Sequence, residues 1–325
     1  MTRTEYDVVA LGELLIDFTA QGAGADGYPL MAAHPGGAPA NFLAAIARLG
    51  GRTALLSKVG ADAFGTMLTG TLREVGVDTR GVVVAEDAFT TLAFVTLDAR
   101  GERSFSFARK PGADTQLTEA EVNALPFLSD ARAFHFGTLS LTGEPARSAT
   151  RAAVARAKEA GCLISFDPNL RRPLWDSEES AKEQIEWGLR QSDIVKISDE
   201  EIEFMWGLSP EEGARKLLHE YGVKLVYATL GPKGCYAATK NAATTVSSPK
   251  GIHVVDTTGA GDIFGGSAMS RFLKLNRAID DLTESDLQAI VRFGCCAASL
   301  STQTHGGITS VVPLEQVEFC VSASY

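Results

Sequence analysis

Short apolar, β-branched runs alternate along this chain with stretches whose apolar positions recur at helical spacing. Tyr6–Leu11, Ala133–Phe136, Leu163–Phe166, Ile194–Ile197 and Leu225–Thr229 read as strands, while Ala38–Leu49, Ala146–Ala160, Pro210–Tyr221 and the stretch 260–273 read as helices. The alternation predicts an α/β fold with a mainly parallel central sheet covered by helices, in which ligands bind beyond the C-terminal ends of the strands. Two regions break the rhythm. Thr90–Leu97 and Glu102–Arg109 read as strands joined by the turn-forming Asp98-Ala-Arg-Gly101, and Leu15–Ala20 with Pro29–Ala33 supplies further strand-like pieces. We expect these segments, at about 14–35 and 84–112, to form a small β lid projecting from the main sheet. Its edges and apolar face need cover from substrate, from the main body or from a second subunit. Phe105 and Phe107, alternating with Ser104 and Ser106, would turn one lid face toward a ligand.

Composition narrows the class. The chain has 325 residues, 45% hydrophobic and 22% charged, enough for a large buried core, and no obvious linker divides it. A single unit, 1–325, is expected. The formal charge of −10, without a Lys/Arg tract, disfavours nucleic acid or an anionic membrane as partner. The first residues lack a cleavable signal pattern and no apolar run reaches spanning length, so a cytoplasmic location is expected. Five cysteines form no C-x-x-C pair and five histidines show no zinc-ligand spacing, which favours buried thiols over disulfides or a metal centre. Gly22-Ala-Gly24-Ala-Asp-Gly27 matches G-x-G-x-x-G by letter but runs into Tyr28-Pro29 rather than a helix, and reads as a loop.

The chemistry concentrates in Asp256-Thr257-Thr258-Gly259-Ala260-Gly261-Asp262. Its glycines let successive backbone N–H groups turn toward one oxyanion at the start of a helix, and Asp262 in the first turn is a carboxylate placed to take a proton from an attacking hydroxyl. By itself the stretch serves equally as a strand-to-helix turn. Upstream, Pro35-Gly36-Gly37-Ala38-Pro39-Ala40-Asn41 and Gly60-Ala-Asp62-Ala-Phe-Gly65 offer close backbone approach, with Asn41 able to donate and accept toward a polyol; a glycine-rich turn is the alternative.

Together, and in this order, the two glycine-rich regions resemble the signatures of the PfkB (ribokinase-like) carbohydrate kinases, and the resemblance covers essentially the whole chain. It implies a three-layer α/β/α domain with a β lid, ATP and magnesium as cofactors, and a potassium ion near the anion cradle. It assigns Asp262 as catalytic base, with Gly259, Ala260 and Gly261 stabilising the transferring phosphoryl. The sugar set it implies is Asp17, Gly36, Gly37 and Asn41, joined by Phe107 and Arg109 of the lid and by Arg171 of Asp167-Pro-Asn169-Leu-Arg171. The nucleotide set is Lys196, Glu201, Thr229, Gly231 and Gly234. Glu201 lies in Ser198-Asp-Glu-Glu201, where many relatives carry Asn at the first position. The monovalent cation would lie among Asp256, Thr258, Ser301, Gly306 and Ser310. The motifs around Gly36–Asn41, Arg103–Asp114 and Asp167–Arg171 look most like bacterial fructokinases, implying transfer from ATP to D-fructose and a homodimer formed through the lid. A 2-keto-3-deoxygluconate kinase shares Asp-x-Asn-x-Arg, and the two are told apart by whether the lid presents Arg109 or an aromatic ring to the substrate. A non-catalytic sugar sensor is the remaining reading.

Overall fold

The computed structural model describes residues 5–97, 103–125 and 127–325. The turn expected at Asp98–Gly101 and Glu102 of the expected second strand lie outside them, as do the side chains of Arg103, Ser104 and Phe105. In chain order the strands are β1 Tyr6–Leu11, β2 Leu15–Ala23, β3 Pro29–Gly36, β4 Thr53–Gly60, β5 Val77–Asp78, β6 Val82–Ala85 and β7 Leu92–Leu97. They continue with β8 Arg103–Ala108, β9 Ala131–Gly137, β10 Leu163–Asp167, β11 Ile194–Ser198, β12 Leu225–Thr229, β13 Cys235–Ala238 and β14 Ala243–Val246.

The main sheet runs β14-β13-β12-β11-β10-β9-β1-β4-β5, with β6 also on β4. It is parallel from β12 to β5 and antiparallel only where β13 and β14 close one edge. Each face carries its own core, because alternate residues of a buried strand point opposite ways. In β1, Val8 and Ala10 join the helices Ala38–Arg48, Ala260–Leu275 and Glu284–Ser301, through Leu43, Ile46, Ile263 and Ile290. Val9 and Leu11 face the other way, toward Phe134 and Phe136 of β9 and the helices Ala146–Glu159 and Glu178–Gln191, through Ala153, Ile185 and Leu189. Helix, sheet and helix thus form the expected three layers. The helix expected over Pro210–Tyr221 divides into an α-helix, Pro210–Lys216, and a π-helical turn, Leu217–Tyr221.

The lid is a separate sheet of order β3-β2-β7-β8. It is shorter than the sequence suggested at one end: Val82–Ala85 pairs with β4 of the main sheet, and β7 starts at Leu92 because Thr90 and Thr91 are tied down. Thr90 donates from its backbone N and its hydroxyl to Asp62, at 2.8 and 2.9 Å, and the Thr91 hydroxyl donates to Asp114 at 2.5 Å. One lid face packs downward, where Phe18 meets Phe64 of the helix Ala63–Glu74 edge-on and stacks on Phe94. Residues 22–27 belong to the β2–β3 hairpin, closed by Gly24 N–H donating to Tyr28 O at 2.8 Å, as the loop reading expected.

Candidate active site

Every parallel strand of the main sheet points its C-terminal end toward the same rim, and there the sequence-predicted residues gather. The helix Ala260–Leu275 starts from Gly259, whose φ of 75° is the left-handed conformation that glycine adopts freely. The approach is also close: a Cβ on Gly259 would lie 2.9 Å from Gly307 Cα and 3.0 Å from Asn41 Nδ2. The helix N-terminus favours an anion through its dipole and first-turn N–H groups, although the Ala260 N–H is partly engaged by Thr257 O at 3.2 Å. Asp262 is buried in this first turn and accepts from Asn41 Nδ2 at 2.8 Å. That bond joins the two glycine-rich regions directly. Burial, and next the charge of Asp167, push the Asp262 carboxyl up to about 6, against the pull of Lys196 and Asn41.

Lys196, on β11, reaches across to Asp167 at the end of β10, with Nζ 2.9 Å from Oδ2, the carboxylate buried and the lysine partly so. A Cβ on Gly261 would come 3.1 Å from this Nζ, so the ammonium lies against the cradle. After Asp167 the chain turns through Asn169, which holds a φ of 45°, a conformation asparagine tolerates, and donates its N–H to Asp167 Oδ1 at 3.1 Å. Glu201 fastens this turn, accepting from Leu170 N at 2.8 Å on one oxygen and from Ser198 N at 2.8 Å on the other. Ser198 returns a cap to Glu201 N–H, so the serine that departs from the family's asparagine acts as the N-cap of Asp199–Trp206. Thr229 sits opposite Ser198 at the end of β12, followed by the turn through Gly231 and Gly234, in which Leu230 N–H donates to Gly234 O at 2.8 Å.

The residues expected on the sugar side lie on the lid and at its root. The register places His34, Asp17, Ala93 and Phe107 in one row across β3, β2, β7 and β8, hence on one lid face. Burial raises the Asp17 carboxyl to about 7, eased by Arg171 and reinforced by Asp262 and Asp256, so all four charges lie within electrostatic reach of one another. A Cβ at Gly36 would collide with the Asp17 carboxylate. Gly37, at φ 114°, passes so close to Glu13 O that a Cβ would strike it. Glu13 itself was missed by the sequence reading: it is buried and accepts from Ala38 N at 2.7 Å, capping the helix Ala38–Arg48 from a distant loop. Its only sequence signal is an acid inside an apolar run.

Arg109 requires a correction. The sequence reading sent it to the substrate, but its guanidinium is buried and committed elsewhere. Nε and Nη2 donate to Asp114 Oδ2 at 2.9 and 2.6 Å, Nη2 also to Leu139 O at 2.8 Å, and Nη1 to Thr142 Oγ1 at 3.0 Å. The planar fork ties the root of β8 to the main body. Asp62, within the first glycine-rich region, likewise caps the helix Ala63–Glu74 while holding Thr90.

Of the residues expected around a monovalent cation, Asp256, Thr258 and Gly306 are joined by hydrogen bonds. Asp256 Oδ1 accepts from the Thr258 N–H and hydroxyl at 2.9 and 2.7 Å, and Oδ2 from Gly306 N–H at 3.2 Å. The Ser301 and Ser310 hydroxyls each donate to a nearby carbonyl, of Ala298 and Gly307, at 2.8 Å. His305, with Nδ1 3.6 Å from Asp256 Oδ2, and His34, whose ring stacks on His305, also adjoin this loop.

Residues 6–314 match the pfkB family carbohydrate kinase model. The chain belongs to this family. Fructokinase-2 of Solanum lycopersicum is 44% identical over 310 residues, spanning 94% of this chain and 92% of that protein. Among solved structures, the fructokinase with bound ATP from Xylella fastidiosa superposes with a TM-score of 0.87 at 31% identity, covering 98% of this chain and 99% of that one. A fructokinase double mutant from Vibrio cholerae O395, in fructose, ADP and potassium ion bound form, gives 0.85 at 32% identity, over 99% and 100% of the two chains. The protein is thus an ATP-dependent carbohydrate kinase with the ribokinase-like fold. No helix among the described residues is long and apolar enough to cross a membrane.

Proposed function

We propose that this kinase phosphorylates the primary hydroxyl of D-fructose, giving fructose 6-phosphate and ADP. The observation that carries the mechanism is the Asn41–Asp262 hydrogen bond, which sets the base of the phosphate cradle against the sugar loop. Asp17, Gly37 and Asn41 hold the sugar with its primary hydroxyl toward Asp262, and Arg171 adds a cation beside both acids. The hydroxyl oxygen forms a bond to the γ-phosphorus as the bond to the bridging oxygen of ADP breaks, and the hydroxyl proton passes to Asp262. Because the transition state is loose, alignment does most of the work and a weak base suffices. Lys196 and the N–H groups at Gly259–Gly261 meet the charge on the transferring group.

Substrate choice is supported by the lid. With Arg109 engaged by Asp114, the described side chain that β8 adds to the row bearing Asp17 is Phe107, an aromatic ring that suits a neutral sugar better than a keto acid. The 44% identity to a plant fructokinase points the same way.

Glu201 and Asp167 are the carboxylates suited to hold magnesium through water, and Thr229 with the Gly231–Gly234 turn suits the nucleotide. When bound, magnesium neutralises phosphate charge. A potassium ion suits the loop of Asp256, Thr258, Ser301, Gly306 and Ser310, where hydroxyl and backbone oxygens accompany one acid. Homodimerisation through the lid is supported by apolar side chains exposed on its hairpin, Tyr28 at 72% and Leu30 at 52%.

The test is ADP release with magnesium-ATP against fructose, 2-keto-3-deoxygluconate, ribose, glucose, mannose and a nucleoside, in potassium or in a bulky organic cation. Turnover on fructose above the others is expected. Preference for the keto acid would replace the substrate, silence on all would revive the sensor reading, and equal rates in both salts would remove the cation.

A further inference from the structure

Behind the catalytic cluster, on the core side of the sheet rim, lies a cavity of about 10 Å³ lined by Lys196, Asp167, His135, Ser165 and Tyr227 against the apolar wall of Phe42. That is about the space the centre of one water molecule requires. The polar groups around it are unusual for so apolar a setting. Tyr227 is buried on β12, and its hydroxyl has no hydrogen-bond partner among the described residues. A buried hydroxyl left without a partner is costly, and folded proteins commonly meet such a group with an ordered water. His135 stacks on Phe42 with ring centroids 3.8 Å apart, and its Nδ1 lies 3.0 Å from Ser165 Oγ. Burial and the neighbouring Lys196 charge push its imidazole down to about 3, so it stays neutral, and burial holds the Tyr227 phenol protonated. The charges facing the cavity are therefore Lys196 and Asp167 alone. Lys196 has three N–H donors, of which Asp167 receives one.

We propose that one buried water in this cavity accepts from both the Tyr227 hydroxyl and the Lys196 ammonium, making Tyr227 a positioning residue that holds the ammonium against the phosphate cradle from behind. The water completes its shell by donating to the Ser165 hydroxyl or to Asp167. Such a bridge is nearly as favourable as a direct hydrogen bond. It fixes the long, flexible lysine stem at the point where Gly261 leaves room for its end. The inference rests on the sugar-kinase reading for its kinetic effect, but not for the water itself.

Two measurements test it. A high-resolution crystal structure of the wild-type protein is expected to contain an ordered water within hydrogen-bond distance of Tyr227 Oη and Lys196 Nζ; a dry cavity overturns the proposal whatever the enzyme phosphorylates. Tyr227→Phe removes only the hydroxyl, and is expected to lower kcat about 3–10-fold, the value of roughly one hydrogen bond, with KM for the sugar unchanged. In a Lys196→Gln background the same substitution should cost nothing further, since its route of action is gone. Full activity in Tyr227→Phe, or equal proportional losses in both backgrounds, overturns the assignment. Inactivity of the wild type on every sugar would strike the kinase reading instead, and the crystallographic result would still decide the water.

Discussion

As the proposed base, Asp262 meets two demands that oppose each other: burial to face the phosphate without water, and ionisation to take a proton. Burial raises its carboxyl from the usual range to about 6, while Lys196 and Asn41 hold it down. Only the ionised form is a base, so kcat should fall on the acid side as pH drops through about 6, by up to tenfold per unit below it. Lys196→Gln removes the nearest opposing cation and should move this limb upward, toward neutral pH; an unmoved limb would separate the two residues. Asp17, raised to about 7 and coupled to Asp262, is expected to add a second acid step visible in kcat/KM for the sugar. Asp262→Asn should cost about 10²–10⁴-fold in kcat with nucleotide affinity nearly kept, and an unimpaired rate would remove it from the mechanism.

At the scale of elements, two glycines that look alike in sequence should respond differently to alanine. At Gly37 a Cβ meets the backbone of Glu13, which cannot yield, and φ 114° is strained for any other residue, by about 1–3 kcal/mol. Gly37→Ala should lower both the melting midpoint and activity. At Gly261, inside a helix, the added Cβ meets only the end of Lys196 at 3.1 Å. Gly261→Ala should keep the melting midpoint and lose rate, and a comparable loss of stability would contradict this. The strands, the lid and the helix after Gly259 were legible because periodicity and glycine spacing are local signals. The partners of Arg109 and Glu13 were not, since a pattern shows which face a residue shares but not what the tertiary fold brings to it. Arg109 reads as a basic residue at the end of a strand, and only the approach of Asp114 and Leu139 reveals it as a tie. Ser198 was doubtful for the opposite reason: its departure from the family's asparagine was visible, whereas its cap on Glu201 depends on the local geometry.

For the molecule as a whole, the proposed roles of the lid connect catalysis to assembly. The row proposed to face the sugar is His34, Asp17, Ala93 and Phe107, while the β2–β3 hairpin leaves Tyr28 and Leu30 exposed. Light scattering is expected to give the mass of a dimer. Leu30→Asp should shift it to monomer with unchanged helical content, and a wild-type monomer would remove the lid interface. A different consequence follows from the bond between Asn41 and Asp262, whose partners stand 221 positions apart. A ribosome must release most of the chain before that contact can close, so a nascent or truncated product ending short of the helix Ala260–Leu275 carries a sugar loop with no base to serve it. Turnover therefore reports on completed folding, and during refolding it should return with the last long-range contacts rather than with the first helices.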